Sequence, residues 1–202
     1  MSKMMKDTAI LLVITLVSGL LLGLVYQITK EPIAIQQEKA KQEACQEVFA
    51  DASSFAEVEL AAPDEQAWAD AGFAEETIDE VMAAQDASGE TLGYVITVTT
   101  KEGYAGDIRF TVGIRQDGTV NGISILKISE TAGLGMRAEE VLKPQFADKN
   151  VEAFTYTKSG AAADDQIDAI SGATITTNAV TNGVNAGLYY FQTQLKGGSE
   201  NE

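Results

Sequence analysis

The stretch "IRFTVGIRQDGTVNGISILK", Ile108 to Lys127, decides the fold class. Its two ends are β-branched runs with partial alternation, and its centre is a Gln-Asp-Gly turn. Residues of that kind favour a pleated, half-buried strand, and a turn of that kind joins two strands into a hairpin. Upstream, "YVITVTT" supplies a third run of the same character. The reading is three antiparallel strands, Leu92 to Thr100, Ile108 to Ile114 and Thr119 to Lys127. "VEAFTYTKSG" can add another. After the hairpin comes "SETAGLGMRAEEVLKPQF", a glycine-containing loop and then a helix that stops near Pro144. A last helix is expected from Gly172 to Gln194, with Val180, Val184, Leu188 and Phe191 as its apolar stripe.

Working outward to the N-terminus, "TAILLVITLVSGLLLGLVYQI", Thr8 to Ile28, has 21 residues and no charge. At about 1.5 Å per residue it spans the roughly 30 Å hydrocarbon core of a bilayer. Pro32 is expected to end or kink the span. Gln42 to Thr100 has no Lys or Arg but 14 Asp and Glu. Lysines lie on both sides of the span, so the acidic stretch decides the orientation. The N-terminus is placed in the cytoplasm and the folded domain outside. A secretory signal peptide is the competing reading, but no small-x-small cleavage site follows the apolar run. Phe73, Ile78, Val81 and Met82 sit at helix-compatible spacing, so one or two helices are expected between Asp64 and Ala84. The expected organisation is a cytoplasmic start (1–7), a transmembrane helix (8–29), an acidic helical lead-in (30–91), a folded domain (92–195) and a disordered tail (196–202). The class is α+β, an antiparallel sheet with flanking helices beyond a single membrane helix.

Composition excludes much. The 202 residues carry a net charge of −16, which argues against a nucleic-acid partner. There is no His and one Cys, Cys45. That removes His-ligated haem, most zinc catalysis, Ser-His-Asp hydrolysis, an intrachain disulfide and a Cys-held cluster. No metal site and no catalytic side chain is expected. A cofactor that brings its own chemistry, or pure binding, is left.

The second informative stretch is "DAISGATITTNAV", Asp168 to Val180. Ser171 is a candidate N-cap for the last helix. The first turn of a helix offers free amides and the positive end of the dipole, an anion seat that needs no Lys or Arg. Gly172 and Ala173 let a phosphate approach the backbone, and Thr174 would hold its hydroxyl beside it. Asp168 can orient that hydroxyl, bind a metal ion during modification, or make an Asx turn. Thr176 and Thr177 read as ordinary helix residues. The plain alternative is a capped helix with Thr174 merely solvated.

"DAISGAT" resembles the flavinylation motif of the FMN-binding domain family, in which the last Thr is joined through its hydroxyl to the phosphate of FMN. The resemblance implies covalent FMN on Thr174, with Asp168, Ser171, Gly172 and Ala173 completing the motif. A separate flavin transferase makes that bond in the family, using FAD and a divalent metal. "SETAGLG", Ser129 to Gly135, resembles the family's Glu-Thr-Pro-Gly-Leu-Gly loop, with Ala132 in place of Pro. Its Glu130, Thr131, Gly133, Leu134 and Gly135 are expected to line the isoalloxazine ring, with Leu134 packed on it. "GYAGDIRFTVGI" is a weaker third match, like the family's Gly-Tyr-Gly-Gly strand. Tyr104 can border the ring or pack at the domain edge. Lys158 can sit near the phosphate or stabilise a reduced flavin, or be a solvated lysine.

The resemblance covers Gly93 to Leu195. The whole layout is similar to G subunits of the Rnf electron-transport complex. That implies an electron carrier that works with other subunits of a membrane complex passing electrons between ferredoxin and NAD⁺, coupled to Na⁺ or H⁺ translocation. The C subunit of the sodium-translocating NADH:quinone reductase is the second match. From other classes, an unflavinylated anchored binding domain and a freestanding flavin reductase stay open.

Overall fold

The computed structural model describes residues 3–196. It divides into two units, Met1–Gln42 and Glu43–Glu202. The first is the outer part of one helix, α1, Lys3–Val48, whose apolar window is long enough, by length and composition, to cross a membrane. Contrary to expectation, Pro32 neither ends nor interrupts α1. A proline removes one intrahelical bond, and the residues after it, "IAIQQEKAKQEA", are mostly good helix formers that carry the helix onward.

The second unit is built on a five-stranded antiparallel sheet in sequential order. Its strands are β1, Ser54–Val58; β2, Glu76–Gln85; β3, Thr91–Thr100; β4, Ile108–Arg115; and β5, Val120–Lys127. The three expected strands are β3, β4 and β5, with Val98 opposite Phe110 and Val112 opposite Ile123. The helical lead-in is corrected. Its first part, residues 30–48, is helical as the end of α1; beyond that only α2, Glu65–Asp70, is helical, capped by Asp64 accepting from the amide of Ala67 at 2.8 Å. The rest of that region supplies β1 and β2. Ile78, Val81 and Met82 mimic a helical stripe, but β2 gains a full ladder against β3, with a bulge between Ile78 and Glu80. Tertiary pairing overrides a weak local period.

The sheet is covered on both faces. On one lies α4, Thr174–Tyr190, followed by a π-type turn over Phe191–Leu195. It buries Ala179, Val180, Val184 and Leu188 against Ile96, Val98, Phe110 and Val112. On the other lie Cys45, Val48, Phe49 and Ala52, against Ala84 and Val95. Both contacts are close because glycines face them. A Cβ at Gly187 would come within 2.8 Å of Val112 Cγ1, and one at Gly113 within 2.9 Å of the Val48 carbonyl oxygen. Asn121 Nδ2 donates to that same carbonyl at 2.9 Å, and Ser124 Oγ donates to Glu47 Oε2 at 2.5 Å. These bonds lock the Glu43–Val48 turns of α1 to β5. Burial raises the Glu47 carboxyl, but hydrogen bonds from Lys143 and Ser124 outweigh it, and the group lies below its ordinary value.

Between β5 and α4 the chain is mostly irregular. The helix expected before Pro144 is one turn, α3, Ala138–Val141, with 3₁₀ turns at Gly135–Arg137 and Lys143–Phe146. Pro144 lies within the second 3₁₀ turn, where its lack of an amide costs little. The extra strand in "VEAFTYTKSG" is β6, Thr155–Thr157, and it pairs in parallel with β7, Gln166–Asp168, outside the main sheet. Residues 197–202 of the expected tail lie outside the described residues, as do the first two of the cytoplasmic start.

The glycine contacts are testable. Gly187→Val and Gly113→Ala should each destabilise the detergent-solubilised chain by about 1–3 kcal/mol through overpacking. Thermal melts followed by circular dichroism read this. Val112 and the Val48 backbone cannot swing aside, so an unchanged melting temperature in both variants would contradict the packing described.

Candidate functional site

Two segments far apart in the sequence form the walls of one cleft of about 480 Å³. Glu130, Thr131, Leu134 and Gly135 come from the loop after β5, and Gly172 to Thr176 from the start of α4. Tyr104, on the segment joining β3 to β4, closes a third side and is 69% exposed. The volume falls in the range of small-molecule sites.

The loop after β5 is shaped by a turn. The Leu134 amide donates to the Thr131 carbonyl at 3.1 Å, and Gly133, third in the turn, has φ +75°. A type II turn requires positive φ there and favours Pro at the position before it, which Ala132 occupies. The Met136 amide donates to the same carbonyl at 3.2 Å, continuing into the 3₁₀ turn.

Glu130 is the hub. It is 8% exposed, and both carboxylate oxygens accept protein hydrogen bonds. Oε1 accepts from the Ala105 amide at 3.1 Å, and Oε2 accepts from Thr176 Oγ1 at 2.8 Å. One side chain thereby ties the Tyr104 segment and α4 to the loop after β5. Gly135 packs directly under this joint. A Cβ there would sit 2.5 Å from Thr176 Oγ1 and 2.8 Å from Glu130 Oε2. Across the cleft, Gly172 has φ +80°, and a Cβ on it would come within 3.1 Å of Leu134 Cδ2. Leu134 (40% exposed) and Ile175 (52%) give the lining an apolar surface.

The helix start differs from the expected cap. Ala173, not Ser171, is the N-cap residue, and no side chain caps α4. Ser171 lies in the exposed turn before it. The hydroxyl of Thr177 acts from inside the helix instead. It accepts from the Ile170 amide at 3.1 Å and donates to the Ala173 carbonyl at 3.0 Å. Ile170 is buried, so the chain enters the helix with that residue anchored and Ser171 turned outward. The amides of Thr174, Ile175 and Thr176, as the first three of the helix, have no intrahelical acceptor. They stand with the positive end of the dipole at the cleft.

Of the residues singled out in the sequence, Glu130, Thr131, Leu134, Gly135, Gly172, Ala173, Thr174 and Tyr104 line this cleft. Gly133, Ser171, Asp168 and Lys158 do not. Gly133 shapes the turn. Asp168 Oδ1 accepts from the Ala161 amide at 2.6 Å, and its backbone amide donates to Gln145 Oε1 at 2.7 Å. Its observed work is thus to order the loop before β7. Lys158 is exposed in the segment after β6. Thr176, read from sequence as a plain helix residue, is instead the partner of Glu130. No local pattern marks it, because its partner lies 46 residues away.

The FMN-binding domain model matches residues 103–189, and the model of the RnfG N-terminal region matches residues 1–48. The G subunit of the Na(+)-translocating ferredoxin:NAD(+) oxidoreductase complex of Acetobacterium woodii is 34% identical, over 93% of this chain and 91% of its own. The G subunit of the ion-translocating oxidoreductase complex of Methanosarcina acetivorans is 30% identical, over 94% and 95%. The G subunit of the proton-translocating ferredoxin:NAD(+) oxidoreductase complex of Clostridium ljungdahlii is 32% identical, over 83% and 80%. Among solved structures, Shewanella oneidensis NqrC is similar over 56% of this chain and 58% of its own, at 23% identity and a TM-score of 0.48. With relatives this similar along almost its whole length, a matching FMN-binding domain and a matching N-terminal region, the chain belongs to the family of G subunits of Rnf-type ion-translocating oxidoreductase complexes.

Proposed function

We propose that this chain carries FMN joined through its phosphate to Thr174 Oγ1. On this reading it serves as a membrane-anchored electron carrier in a ferredoxin:NAD⁺ oxidoreductase complex coupled to Na⁺ or H⁺ movement. The observation that carries the reading is the single cleft. The two motifs that resemble the flavin family's meet there, with the Thr174 hydroxyl at a helix N-terminus. The two relatives named for a coupling ion are named for different ones, so the reading covers both ions.

The residues fit such a group. A phosphate ester on Thr174 would lie beside the free amides of Thr174, Ile175 and Thr176, which favour an anion without a cationic side chain. Gly172 keeps side-chain bulk away from that seat. Leu134, Ile175 and Tyr104 offer apolar cover to a flat ring. Both Glu130 oxygens accept from protein donors, so it holds the three segments in register while it lines the cleft. Bound there, FMN would supply transfer of one or two electrons, the property needed between a one-electron and a two-electron partner. The protein's part is position, apolar cover and retention. A covalent link removes the need for affinity from a deep nucleotide pocket.

Maturation would join Thr174 Oγ1 to the FMN phosphorus of FAD, with AMP leaving, on a separate flavin transferase. Asp168 keeps a proposed role there, through the loop it orders beside the acceptor. Lys158 is proposed as a site of weaker electrostatic influence on the flavin. In the assembled complex α1 would be the anchor, with the N-terminus in the cytoplasm and the flavin domain outside.

Co-expression with a flavin transferase tests this. The intact mass should rise by one FMN less water, and the denatured band should fluoresce under illumination. Thr174→Ala should abolish both. A colourless, unmodified chain beside an active transferase would instead favour an anchored binding domain. Gly135→Ala should keep the fold but cut flavin incorporation several-fold, because its methyl group displaces Thr176 from Glu130. Protease added to intact spheroplasts should digest the Glu43–Glu202 unit; full protection would reverse the proposed orientation.

A further inference from the structure

Behind the cleft, two carboxylates meet on one amide. Asn182, two turns along α4 from Thr174, donates through Nδ2 to Glu76 Oε1 and to Glu102 Oε2, both at 3.2 Å. Asn178 Nδ2 donates to Glu102 Oε2 at 3.0 Å, and Thr100 Oγ1 donates to Glu76 Oε1 at 3.1 Å. Glu76 is 4% exposed, and its Oε2 is buried with no hydrogen-bond partner. Two like charges on one amide, one of them nearly removed from water, are not both retained cheaply.

The surroundings add no compensating cation. From α4 come the neutral amides of Asn178 and Asn182. From α2 comes Trp68, whose Nε1 donates to the Glu76 carbonyl at 3.1 Å. From β3 comes Thr100, and from the segment after it Glu102. Lys101 and Glu75 adjoin the pair in sequence, are exposed, and meet each other through backbone, the Lys101 amide donating to the Glu75 carbonyl at 3.0 Å. Among the described residues no ion pair reaches Glu76 or Glu102. A second cleft, lined by Pro63, Trp68, Thr77 and Tyr190, reaches Glu76 and gives a proton a way to water.

Glu102 lies in the 101–107 segment that carries Tyr104 to the first cleft. Beyond Lys101 that segment is tied to its surroundings by Glu102 to α4 and by the Ala105 amide to Glu130. Gly103 lies between the ties with no room for a Cβ, which would strike the Gly106 carbonyl oxygen.

We propose that Glu76 holds a proton beside Glu102 and Asn182, and that its loss to water sets a second charge against Glu102, frees Glu102 from α4 and loosens the wall that Tyr104 forms. Glu102 is the member that yields. It is half-exposed and hydrates readily, while Glu76 is fixed in β2. Burial first, and the Glu102 charge second, push the Glu76 carboxyl from its ordinary 4.5 up to about 7. The folded state therefore holds more protons than the unfolded chain between those values. The stabilisation is complete below about 4.5 and is lost as pH rises through 7. Neither the pair nor its test depends on a bound flavin.

Hydrogen exchange on the full, unmodified chain in detergent decides the matter. Protection factors, corrected for intrinsic exchange, are compared at pH 6 and pH 8. Peptides covering 101–107 should lose about tenfold protection across that interval, since one pH unit beyond the titration point is a factor of ten. Peptides within β4 should not change. Glu76→Gln should hold the high protection at both values. Glu102→Gln, which removes the like charge, should shift the loss to lower pH or abolish it. Equal wild-type protection at pH 6 and 8 would overturn the proposal. So would the wild-type loss persisting unchanged in Glu76→Gln or, if that variant does not fold, in Glu102→Gln.

Discussion

The approach of α4 to the sheet is the constraint on which the rest depends. Gly183 and Gly187 face the sheet, and side chains there would collide with Phe110 and Val112. Because the helix sits this low, its first turn meets the loop after β5 at one end. Its middle brings Asn178 and Asn182 down to Glu102 and Glu76. A helix one methyl group farther out would keep the hydrophobic core and lose both polar joints. Packing distance here controls hydrogen bonding, and hydrogen bonding shapes the cleft.

Glu130 shows how one buried carboxylate can organise a site. Its cost of burial is met by two donors, one from backbone and one from a hydroxyl, on two segments that otherwise have no reason to stay together. The Tyr104 segment is thereby stiffened at Ala105. At Glu102 the second tie rests on two side-chain amides, one of which, Asn182, also serves Glu76. The cleft thus has one wall held firmly by the loop after β5, and one whose outer tie is electrostatically poised. The family to which the chain belongs works by passing electrons between partners.

Much of this was legible in the residues. Strands β3, β4 and β5 read correctly because β-branched runs bounded by turn residues carry a local preference that pairing reinforces. Eight of the residues singled out in the sequence meet in one cleft, and two of the motif glycines, Gly133 and Gly172, meet backbone demands visible in φ. What misled was also local. The spacing of Ile78, Val81 and Met82 fits a helix as well as a bulged strand, and the ladder with β3 settles it. Ser171 looks like a cap because Ser is a good one, yet the anchoring of Ile170 starts the helix two residues later.

The sequence by itself determined the apolar span, the antiparallel hairpin core, the lack of His and of a second Cys, and the hydroxyl-bearing turn at Thr174. These rest on composition and on patterns a few residues long, which local sterics and hydrophobicity translate directly. Only the tertiary structure decided that Thr176 belongs to the site, that Asp168 orders a neighbouring loop, and that Glu76 and Glu102 meet on Asn182. The first and last are contacts between residues 46 and 106 apart, formed because helix and sheet pack at one distance, while the Asp168 contact closes a loop of seven residues. No local propensity encodes such a distance. It is set by the glycines and the core side chains that meet across the interface.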